Sequence, residues 1–275
     1  MEREKSPEVV KKRLVELQKG AQLQVDVKNL QQIRLLGYGA FSAVFLVRDK
    51  TTKREYALKR MRKNDVAHCS EHVFCEQAIT RSLQHPFIMR QYASFHDESY
   101  LYFVFDYVNG GDLMDALILV AEVKQTPRKW HECGDGASDE GVLVGMSEPT
   151  AKFYVASLVL ALEFVHDSGI VYRDLKPENV LLDAALQPKL ADFGVSRDEL
   201  NNQTMTHAGT PLFMAPEQIR QALYNHSVDV WAYGCVLEMM CTHEQVYRKW
   251  TRAGMKMPLG RPVASIALAA CIDIF

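Results

Sequence analysis

The residues best suited to chemistry lie in one short segment, 172–179, which reads YRDLKPEN. It places a carboxylate (Asp174), a cation (Lys176) and a side-chain amide (Asn179) close together along the chain. Transfer of a phosphoryl group needs a carboxylate near the incoming hydroxyl, a cation near the group in transfer and an oxygen ligand for magnesium. A specified run of this length arises by chance with odds on the order of 10⁻¹⁰ per position. The segment therefore predicts phosphoryl-transfer chemistry.

Two further triplets follow this segment in a fixed order. The first, DFG at 192–194, begins with Asp192, a hard oxygen ligand that can bridge magnesium to phosphates. The second, APE at 215–217, lies far enough beyond it to leave room for a loop between the two. Each triplet is weak evidence alone, but their order and spacing after 172–179 make the combined prediction strong.

A glycine-rich turn precedes these motifs at 36–44, which reads LGYGAFSAV. Its glycines would let the backbone approach phosphate oxygens closely, although no Gly-Lys-Ser/Thr follows as it would in a Walker loop. Lys59 comes next, on a predicted strand. A lysine buried there needs a counter-charge or an anionic ligand, and Glu76 can supply the counter-charge. Taken alone, Lys59 is better explained as a surface lysine; the neighbouring motifs favour the buried role.

The elements that must position these motifs fall into two groups. Predicted strands lie at 33–36, 44–47, 55–61, 91–95 and 101–107, and a predicted helix lies at 70–83. Beyond Gly110 the pattern is helical, with long helices at 148–166 and 230–241 and weaker ones at 245–253 and 263–272. We therefore expect an α+β fold with a small antiparallel sheet lobe at about 27–106 and a larger, mostly helical lobe at about 110–275.

Two segments stand outside this plan. Residues 1–26 are predicted to form a helical extension, because Ser6 can cap a helix that Gly20 can end. The extension could dock a partner or pack on the domain's own surface. Residues 124–145, rich in Gly and acidic side chains, are predicted to form an inserted surface loop.

Composition limits the class of protein. The chain has 275 residues, 48% of them hydrophobic and 24% charged, and a net charge of -2. That balance argues against a nucleic-acid partner recruited by bulk charge. We recognise no signal peptide and no apolar run long enough for a membrane span. The six cysteines form no C-x-x-C pair, which favours free thiols in a reducing compartment. The expected location is cytoplasmic, with the nucleus as the alternative.

Together the motifs resemble the eukaryotic protein kinase family from about 27 to 275. The tyrosine form of 172–179, GGDL at 110–113 and GTP at 209–211 are most similar to the AGC group. Within it, the segments 56–59 and 71–73 look most like the cyclic-nucleotide-dependent kinases. The resemblance implies a two-lobed kinase fold and transfer of the γ-phosphoryl group of Mg-ATP to protein substrates. Lys176 and Thr210 fit a Ser/Thr enzyme better than a Tyr enzyme.

The resemblance also implies roles for individual residues. Asp174, Lys176, Lys59 and Glu76 would form the catalytic set, and Asn179 and Asp192 would hold Mg²⁺. Phe105 would be the gatekeeper beside the adenine, and 106–108 the hinge. The full set of nucleotide-binding residues would be Leu36, Gly37, Gly39, Val44, Ala57, Lys59, Phe105, Asp106, Val108, Asp112 and Leu181.

Regulation and substrate choice are implied in the same way. Thr206 matches an activation-loop site that an upstream kinase would phosphorylate. Arg173, Arg197 and His72 would receive that phosphate. Asp112, Glu178 and Thr210 would contact the protein substrate, and the two carboxylates predict a preference for Arg upstream of the acceptor Ser or Thr. Asp229 would brace the catalytic loop from a helix beneath it.

Several positions depart from the family pattern. Ser42 replaces the third glycine of the glycine-rich turn. Thr80 and Gln91 stand where large apolar residues normally link the two lobes in the active state, and polar residues there would weaken that contact. The insertion at 124–145 is longer than the family norm.

The C-terminal end departs as well, because residues 267–275 look like a family helix that is cut off early. We therefore expect a C-terminally truncated kinase domain in which Glu217 lacks its arginine partner. Breaking a buried pair of this kind usually costs about 3–5 kcal/mol. A large lobe of marginal stability is the expected consequence.

Three functions remain open at this point. The first is a Ser/Thr kinase in intracellular signalling, favoured because Lys59, Asp174, Asn179 and Asp192 are all present. The second is a pseudokinase or scaffold with weak or no activity. The third is a small-molecule kinase of similar fold, against which 209–211 and 215–217 argue because they match a peptide-substrate enzyme. The oligomeric state and the identity of the substrate stay open.

Overall fold

The computed structural model describes residues 27–39, 42–66, 79–123, 146–194, 196–198 and 209–242. Within them the chain has the predicted α+β fold, with an antiparallel sheet followed by mainly helical structure. None of the helices in this part of the chain combines the length and the apolar character that crossing a membrane requires.

In the described part of the chain, the N-terminal sheet has five antiparallel strands in the order β1-β2-β3-β5-β4. They are β1 (Leu30–Gly39), β2 (Ser42–Asp49), β3 (Glu55–Arg62), β4 (Gln91–His96) and β5 (Tyr100–Asp106). Aspartates make the tight turns. Asp49 accepts the backbone N–H groups of Thr51 at 2.7 Å and Thr52 at 2.9 Å. Asp97 accepts the N–H of Tyr100 at 2.7 Å between β4 and β5.

The sheet buries one apolar face. Phe45 and Val47 of β2, Tyr56 of β3 and Val104 of β5 form its core. These are β-branched and aromatic residues at alternating positions, the pattern that suits a half-buried strand. Lys59 of β3 lies across from Val44 of β2, so the register of the sheet fixes the position of the lysine relative to β2.

Five helices have both ends among the described residues, and three of them are longer than one turn; the first follows β3 and the other four follow β5. The helices are α1 (Lys63–Val66), α2 (Leu113–Val123), α3 (Glu148–Asp167), α4 (Pro216–Ile219) and α5 (Ser227–Thr242). Ser147 caps α3 by accepting the N–H of Thr150, and Pro149 suits the first turn. Fully buried residues such as Leu158 of α3 and Val236 of α5 belong to the main core.

Two short antiparallel pairs carry the loops of the site. β6 (Ile170–Val171) pairs with β9 (Arg197–Asp198), and β7 (Val180–Leu182) pairs with β8 (Pro188–Leu190). A 3₁₀ turn at Pro177–Asn179 leads directly into β7. The loop at 172–176 is therefore fixed by β6 on one side and by this turn on the other.

Most of the elements predicted for the described residues are present in the structure. All five N-terminal strands and both long helices lie where the sequence places them, with ends that differ by at most three residues. The predicted strand end at Tyr107 is wrong, because β5 ends at Asp106. Of the predicted helix at 70–83, residues 79–82 are helical and the earlier ones lie outside the described residues. The predicted elements at 1–26, 124–145, 245–253 and 263–272 also lie outside them.

Candidate active site

A buried carboxylate holds the loop at 172–176 from below. Asp229 of α5 has no exposed surface and accepts the backbone N–H groups of Tyr172 at 2.8 Å and Arg173 at 2.7 Å. The Nε2 of His166 in α3 lies 2.7 Å from the same carboxylate. A buried charge is costly unless hydrogen bonds satisfy it, and these donors do so. The two backbone hydrogen bonds are those expected of a residue that braces the loop at 172–176 from beneath.

The loop itself adopts an uncommon backbone conformation. Arg173 has a φ of 75°, in the left-handed region that residues other than glycine rarely enter. Gly209 lies against it: a Cβ at Gly209 would be 2.6 Å from the carbonyl oxygen of Arg173, and the φ of Gly209 is 116°. Only glycine fits this contact, so the GTP triplet at 209–211 packs its backbone closely against the loop at 172–176.

Asp174 sits at the centre of a hydrogen-bonded cluster. Its Oδ1 accepts the hydroxyl of Thr210 at 2.8 Å, and its Oδ2 lies 3.0 Å from the Nζ of Lys176. Lys176 also donates to the Thr210 hydroxyl at 2.8 Å. The Nδ2 of Asn179 donates to the carbonyl oxygen of Asp174 at 2.8 Å and to its Oδ2 at 2.9 Å. The carboxylate is consequently fixed in one orientation.

The two residues predicted to hold magnesium both carry side-chain oxygen atoms, although Asn179 is buried and Asp192 is exposed. Because Asn179 uses its Nδ2 on Asp174, its Oδ1 is the atom left for a metal ion. The side chain of Asp192 is 56% exposed, and its backbone has a φ of 51°. The described residues contain no group of three His, Cys, Asp or Glu side chains that could hold a metal without other ligands. This donor set fits Mg²⁺, which usually takes only one or two protein carboxylates together with substrate phosphates.

Lys59 reaches the same region from β3. Its side chain is 19% exposed, and its Nζ lies 3.5 Å from the Oδ1 of Asp192. The lysine is therefore partly buried beside a carboxylate, as a phosphate-binding lysine would be. The predicted partner Glu76 lies outside the described residues, so that pairing stays a prediction.

Several of the predicted nucleotide-binding residues lie opposite one another in the register of the sheet. Ala57 of β3 lies opposite Phe105 of β5, and Val44 lies opposite both Gly37 and Lys59. An isolated antiparallel β-bridge joins Leu181 to Asp112, which lies at the end of the connection that follows β5. Leu36 and Gly39 also lie in β1, and Asp106 and Val108 lie at and beyond the end of β5.

The two predicted substrate carboxylates lie in different segments, Asp112 at the end of the connection that follows β5 and Glu178 in the 3₁₀ turn at Pro177–Asn179. Burial raises the pKa of Asp112 above its ordinary value, and the nearby charges of Asp115 and Glu178 raise it further. Glu178 is exposed. Two acidic groups close enough to affect each other form a site where a cationic side chain would bind favourably.

Only part of the predicted phosphate-binding group can be described. Thr206 and His72 lie outside the described residues, and Arg197 is described only as a strand residue paired with Val171. Arg173 is 95% buried, and its guanidinium donates to the hydroxyl of Tyr224 at 3.1 Å. The sequence did not predict that tyrosine contact.

Further residues that support the site were also missed. The hydroxyl of Tyr172 donates to the carbonyl oxygen of Ala191, and the hydroxyl of Ser196 donates to the carbonyl oxygen of Tyr172 at 3.1 Å. No motif marks Ser196 or His166, whose roles depend on contacts between distant parts of the chain. Tyr172, by contrast, belongs to the 172–179 segment and could have been singled out.

The two polar departures from the family pattern are both buried. Thr80 is 4% exposed and Gln91 is 8% exposed. Among the described residues, the side-chain amide of Gln91 has no hydrogen-bond partner for either its nitrogen or its oxygen. An unsatisfied buried amide destabilises a protein. The predicted weakening of the contact between the two lobes stays a prediction.

Comparison with known proteins gives the family. A family model for the protein kinase domain matches residues 30–261. The cGMP-dependent protein kinase of Toxoplasma gondii is 39% identical over 220 residues, which cover 79% of this chain and 20% of that protein. The cAMP-dependent protein kinase catalytic subunit of Dictyostelium discoideum is 38% identical over 224 residues, which cover 80% and 31%. The human protein kinase C eta type is 39% identical over 224 residues, which cover 79% and 29%.

The chain thus spans less than a third of the length of each of these three relatives. The predicted resemblance to AGC-type kinases, and to the cyclic-nucleotide-dependent kinases among them, is confirmed by these similarities. The match to the family model covers most of the chain and all of the motifs that carry the chemistry. This chain therefore belongs to the protein kinase domain family.

Proposed function

We propose that the chain is an ATP-dependent protein serine/threonine kinase, which transfers the γ-phosphoryl group of ATP to Ser or Thr hydroxyls of protein substrates. The observation that carries this proposal is the fixed carboxylate of Asp174, held by Thr210 at 2.8 Å and by Lys176 at 3.0 Å. A carboxylate oriented in this way beside a cation suits proton acceptance from a hydroxyl group.

The chemistry follows from this arrangement. The substrate hydroxyl oxygen attacks the γ-phosphorus, the bond between that phosphorus and the β-phosphate oxygen breaks, and ADP leaves. Asp174 orients the hydroxyl and accepts its proton, while the ammonium of Lys176 offsets negative charge on the group in transfer. Lys59, beside Asp192, is placed to bind the phosphates of the nucleotide.

Asn179 and Asp192 would hold Mg²⁺ together with phosphate oxygens of ATP. The ion, when bound, neutralises charge on the phosphates. Two features of the chain support this role. The Asn179 amide is oriented by Asp174, which leaves its oxygen for the metal, and the Asp192 carboxylate is more than half exposed.

The glycine-rich turn is proposed to cover the phosphates. A Cβ at Gly37 would meet no atom within 4 Å, so packing inside the protein does not require glycine there. A glycine whose missing side chain would touch no protein atom is explained by the close approach of a ligand to the backbone. The adenine would lie between Val44 and Ala57 on the sheet side and Leu181 on the helical side.

For the protein substrate we propose a preference for Arg before the acceptor residue. Asp112 and Glu178 would bind the guanidinium, because paired carboxylates suit its two-pronged geometry. Thr210, next to Asp174, would lie beside the acceptor hydroxyl. A role in intracellular signalling and a cytoplasmic or nuclear location follow from this proposal.

Activation is proposed to depend on Thr206. A phosphate added there by an upstream kinase would carry a charge of about -1.5 to -2, which Arg173, Arg197 and His72 would bind. Because the guanidinium of Arg173 already donates to Tyr224, the phosphate would share this guanidinium with the tyrosine hydroxyl.

The proposal is tested by incubating the purified chain with labelled ATP, magnesium and a degenerate library of Ser- and Thr-containing peptides. We expect transfer of label to peptides enriched in Arg upstream of the acceptor. A reaction with Thr206 exchanged for Ala shows how far activity depends on activation. Transfer of the label to small molecules and not to peptides would contradict the proposal. So would the absence of any transfer when magnesium and ATP are both in excess.

A further inference from the structure

A compact polar cluster surrounds the last residue of β5. The hydroxyl of Tyr92 in β4 donates to the Oδ1 of Asp106 at 2.7 Å. A guanidinium nitrogen of Arg54 donates to the same hydroxyl, and it lies 3.5 Å from the Asp106 carboxylate. The backbone N–H of Asp106 also donates to the carbonyl oxygen of Arg90 at 3.1 Å. Side chains from β4 and from the turn before β3, and the backbone just before β4, thus meet at one residue of β5.

Aromatic contacts hold the tyrosine at the centre of this cluster in place. The guanidinium groups of Arg54 and Arg90 lie 4.9 Å and 5.2 Å from the centroid of the Tyr92 ring. The ring of Tyr56 meets it edge to face at 5.2 Å. Burial and the hydrogen bond to Asp106 raise the pKa of Tyr92 to about 12, so its hydroxyl remains a donor at neutral pH.

The cluster stands at one end of a segment that is also anchored at the other end. Residues 106–111 connect β5 to α2. At the far end the N–H of Gly110 donates to the carbonyl oxygen of Leu182 at 2.8 Å, and Leu182 donates back to Gly111 at 2.9 Å. A Cβ at Gly110 would lie 2.5 Å from the carbonyl oxygen of Asp183, so the segment presses closely on β7. Both ends of this short connection are therefore fixed, by different means.

We propose that Tyr92 and Arg54 clamp Asp106 and so position the 106–111 segment for the nucleotide, with Tyr92 as a positioning residue. The inference rests on the proposed function and on the predicted contact of Asp106 and Val108 with the nucleotide. With the clamp intact, the backbone is already ordered when the nucleotide arrives. Without the Tyr92 hydroxyl, nucleotide binding must order the segment itself, which lowers affinity.

The same sheet contains a matched control. The hydroxyl of Tyr102 in β5 donates to the Oδ2 of Asp97 at 2.7 Å, and the pKa of Tyr102 is likewise raised to about 12. This second pair has the same chemistry and distance, but it lies at the β4–β5 turn, at the other end of the two strands. Loss of either hydroxyl removes one tyrosine–aspartate hydrogen bond, yet only one of them adjoins the 106–111 segment.

The test compares Tyr92→Phe with Tyr102→Phe in the full chain. The dissociation constant for ATP is measured by calorimetry, and KM for ATP and kcat by peptide phosphorylation. We expect Tyr92→Phe to weaken ATP binding and raise KM by roughly threefold to tenfold, with kcat nearly unchanged. Tyr102→Phe should leave both constants at their wild-type values. Arg54→Gln, at a half-exposed position, provides a second variant, and it should weaken ATP binding by about twofold.

The possible results separate the clamp from the function on which it rests. Equal ATP affinity of Tyr92→Phe, Tyr102→Phe and the wild type would overturn the clamp and leave the kinase assignment intact. Equal weakening in both tyrosine variants would overturn it too, since the effect would then come from general loss of stability. A wild-type chain that fails to bind ATP would overturn the proposed function and the clamp together.

Discussion

The carboxylate of Asp229 accepts the backbone N–H of Arg173 at 2.7 Å, although the two residues are 56 positions apart in the chain. Arg173 has a φ of 75°, a conformation that costs free energy for a residue with a side chain. The hydrogen bond offsets that cost and fixes the residue immediately before Asp174. Helix α5 thereby determines where the proposed proton acceptor lies.

Replacing Asp229 by Asn should damage stability and turnover together. The asparagine amide cannot accept hydrogen bonds from Tyr172 and Arg173 on both of its atoms, because one of them is itself a donor. We expect a loss of about 3–5 kcal/mol in the free energy of unfolding. Chemical denaturation measures this loss, with Glu163→Gln at an exposed position of α3 as the control. Wild-type stability in Asp229→Asn would show that the loop is held by other contacts.

Thr210 should matter for turnover through its hydroxyl alone. The hydroxyl links the Asp174 carboxylate to the Lys176 ammonium, both at 2.8 Å. Thr210→Ala removes the link and should lower kcat by about 10- to 100-fold, the range expected when a reacting group is misplaced. Thr210→Ser keeps the hydroxyl and should retain most of the activity. Steady-state phosphorylation of a peptide distinguishes the two, and equal activity of the Ala and Ser variants would contradict this role.

Gln91 and Gln218 should respond to the same substitution with opposite sign. Both are buried, but the Gln91 amide lacks a partner among the described residues, whereas the Oε1 of Gln218 accepts the N–H of Ala215 at 2.8 Å. Gln91→Leu should therefore stabilise the chain by about 1–3 kcal/mol, and Gln218→Leu should destabilise it by a similar amount. Chemical unfolding measures both changes. A destabilised Gln91→Leu variant would reveal a hydrogen bond that the described residues do not make.

The stability contribution of Asp112 should depend on pH in a defined direction. Its pKa is raised in the folded protein, mainly by burial, so the folded state binds the proton more tightly than the unfolded state does. Protonation of Asp112 therefore favours the folded state. This contribution to the free energy of unfolding is complete at pH values below the ordinary pKa of 3.8, and it is lost as the pH rises through the folded-state pKa. Asp112→Asn should therefore melt at a higher temperature than the wild type at neutral pH.

That advantage should shrink as the pH is lowered toward the ordinary carboxyl range. Thermal melts over a series of pH values measure it, and Glu98→Gln, at an exposed site in the β4–β5 turn, corrects for general charge effects. An advantage that grows on acidification would mean that the raised pKa does not control the effect.

The sequence predicted the strands and long helices well, because their apolar periodicity is local. It also placed Asp174, Lys176 and Asn179 together, since a single short loop carries them. It failed to predict the contacts that close over long distances: His166 on Asp229, Tyr224 on Arg173 and the packing of Gly209 against the Arg173 carbonyl. Such contacts depend on how α3, α5 and the loops pack, and local pattern carries little information about that.

The clamp on Asp106 could not be predicted for the same reason. Tyr92 and Asp106 belong to β4 and β5, Arg54 lies immediately before β3, and the strand order β3-β5-β4 brings their side chains together. The two short strand pairs that frame the catalytic loop were also missed, because strands of two or three residues leave no periodic signal.

The assignment of Asp174 as proton acceptor is tested most directly by Asp174→Asn. Phosphate transfer from labelled ATP to a Ser-containing peptide is measured for this variant and the wild type, together with the dissociation constant for ATP in the presence of magnesium. We expect the variant to lose about 10²- to 10⁴-fold in kcat while it binds ATP with nearly wild-type affinity. Equal phosphotransfer by the two proteins would contradict the assignment of Asp174, and with it the proposed mechanism.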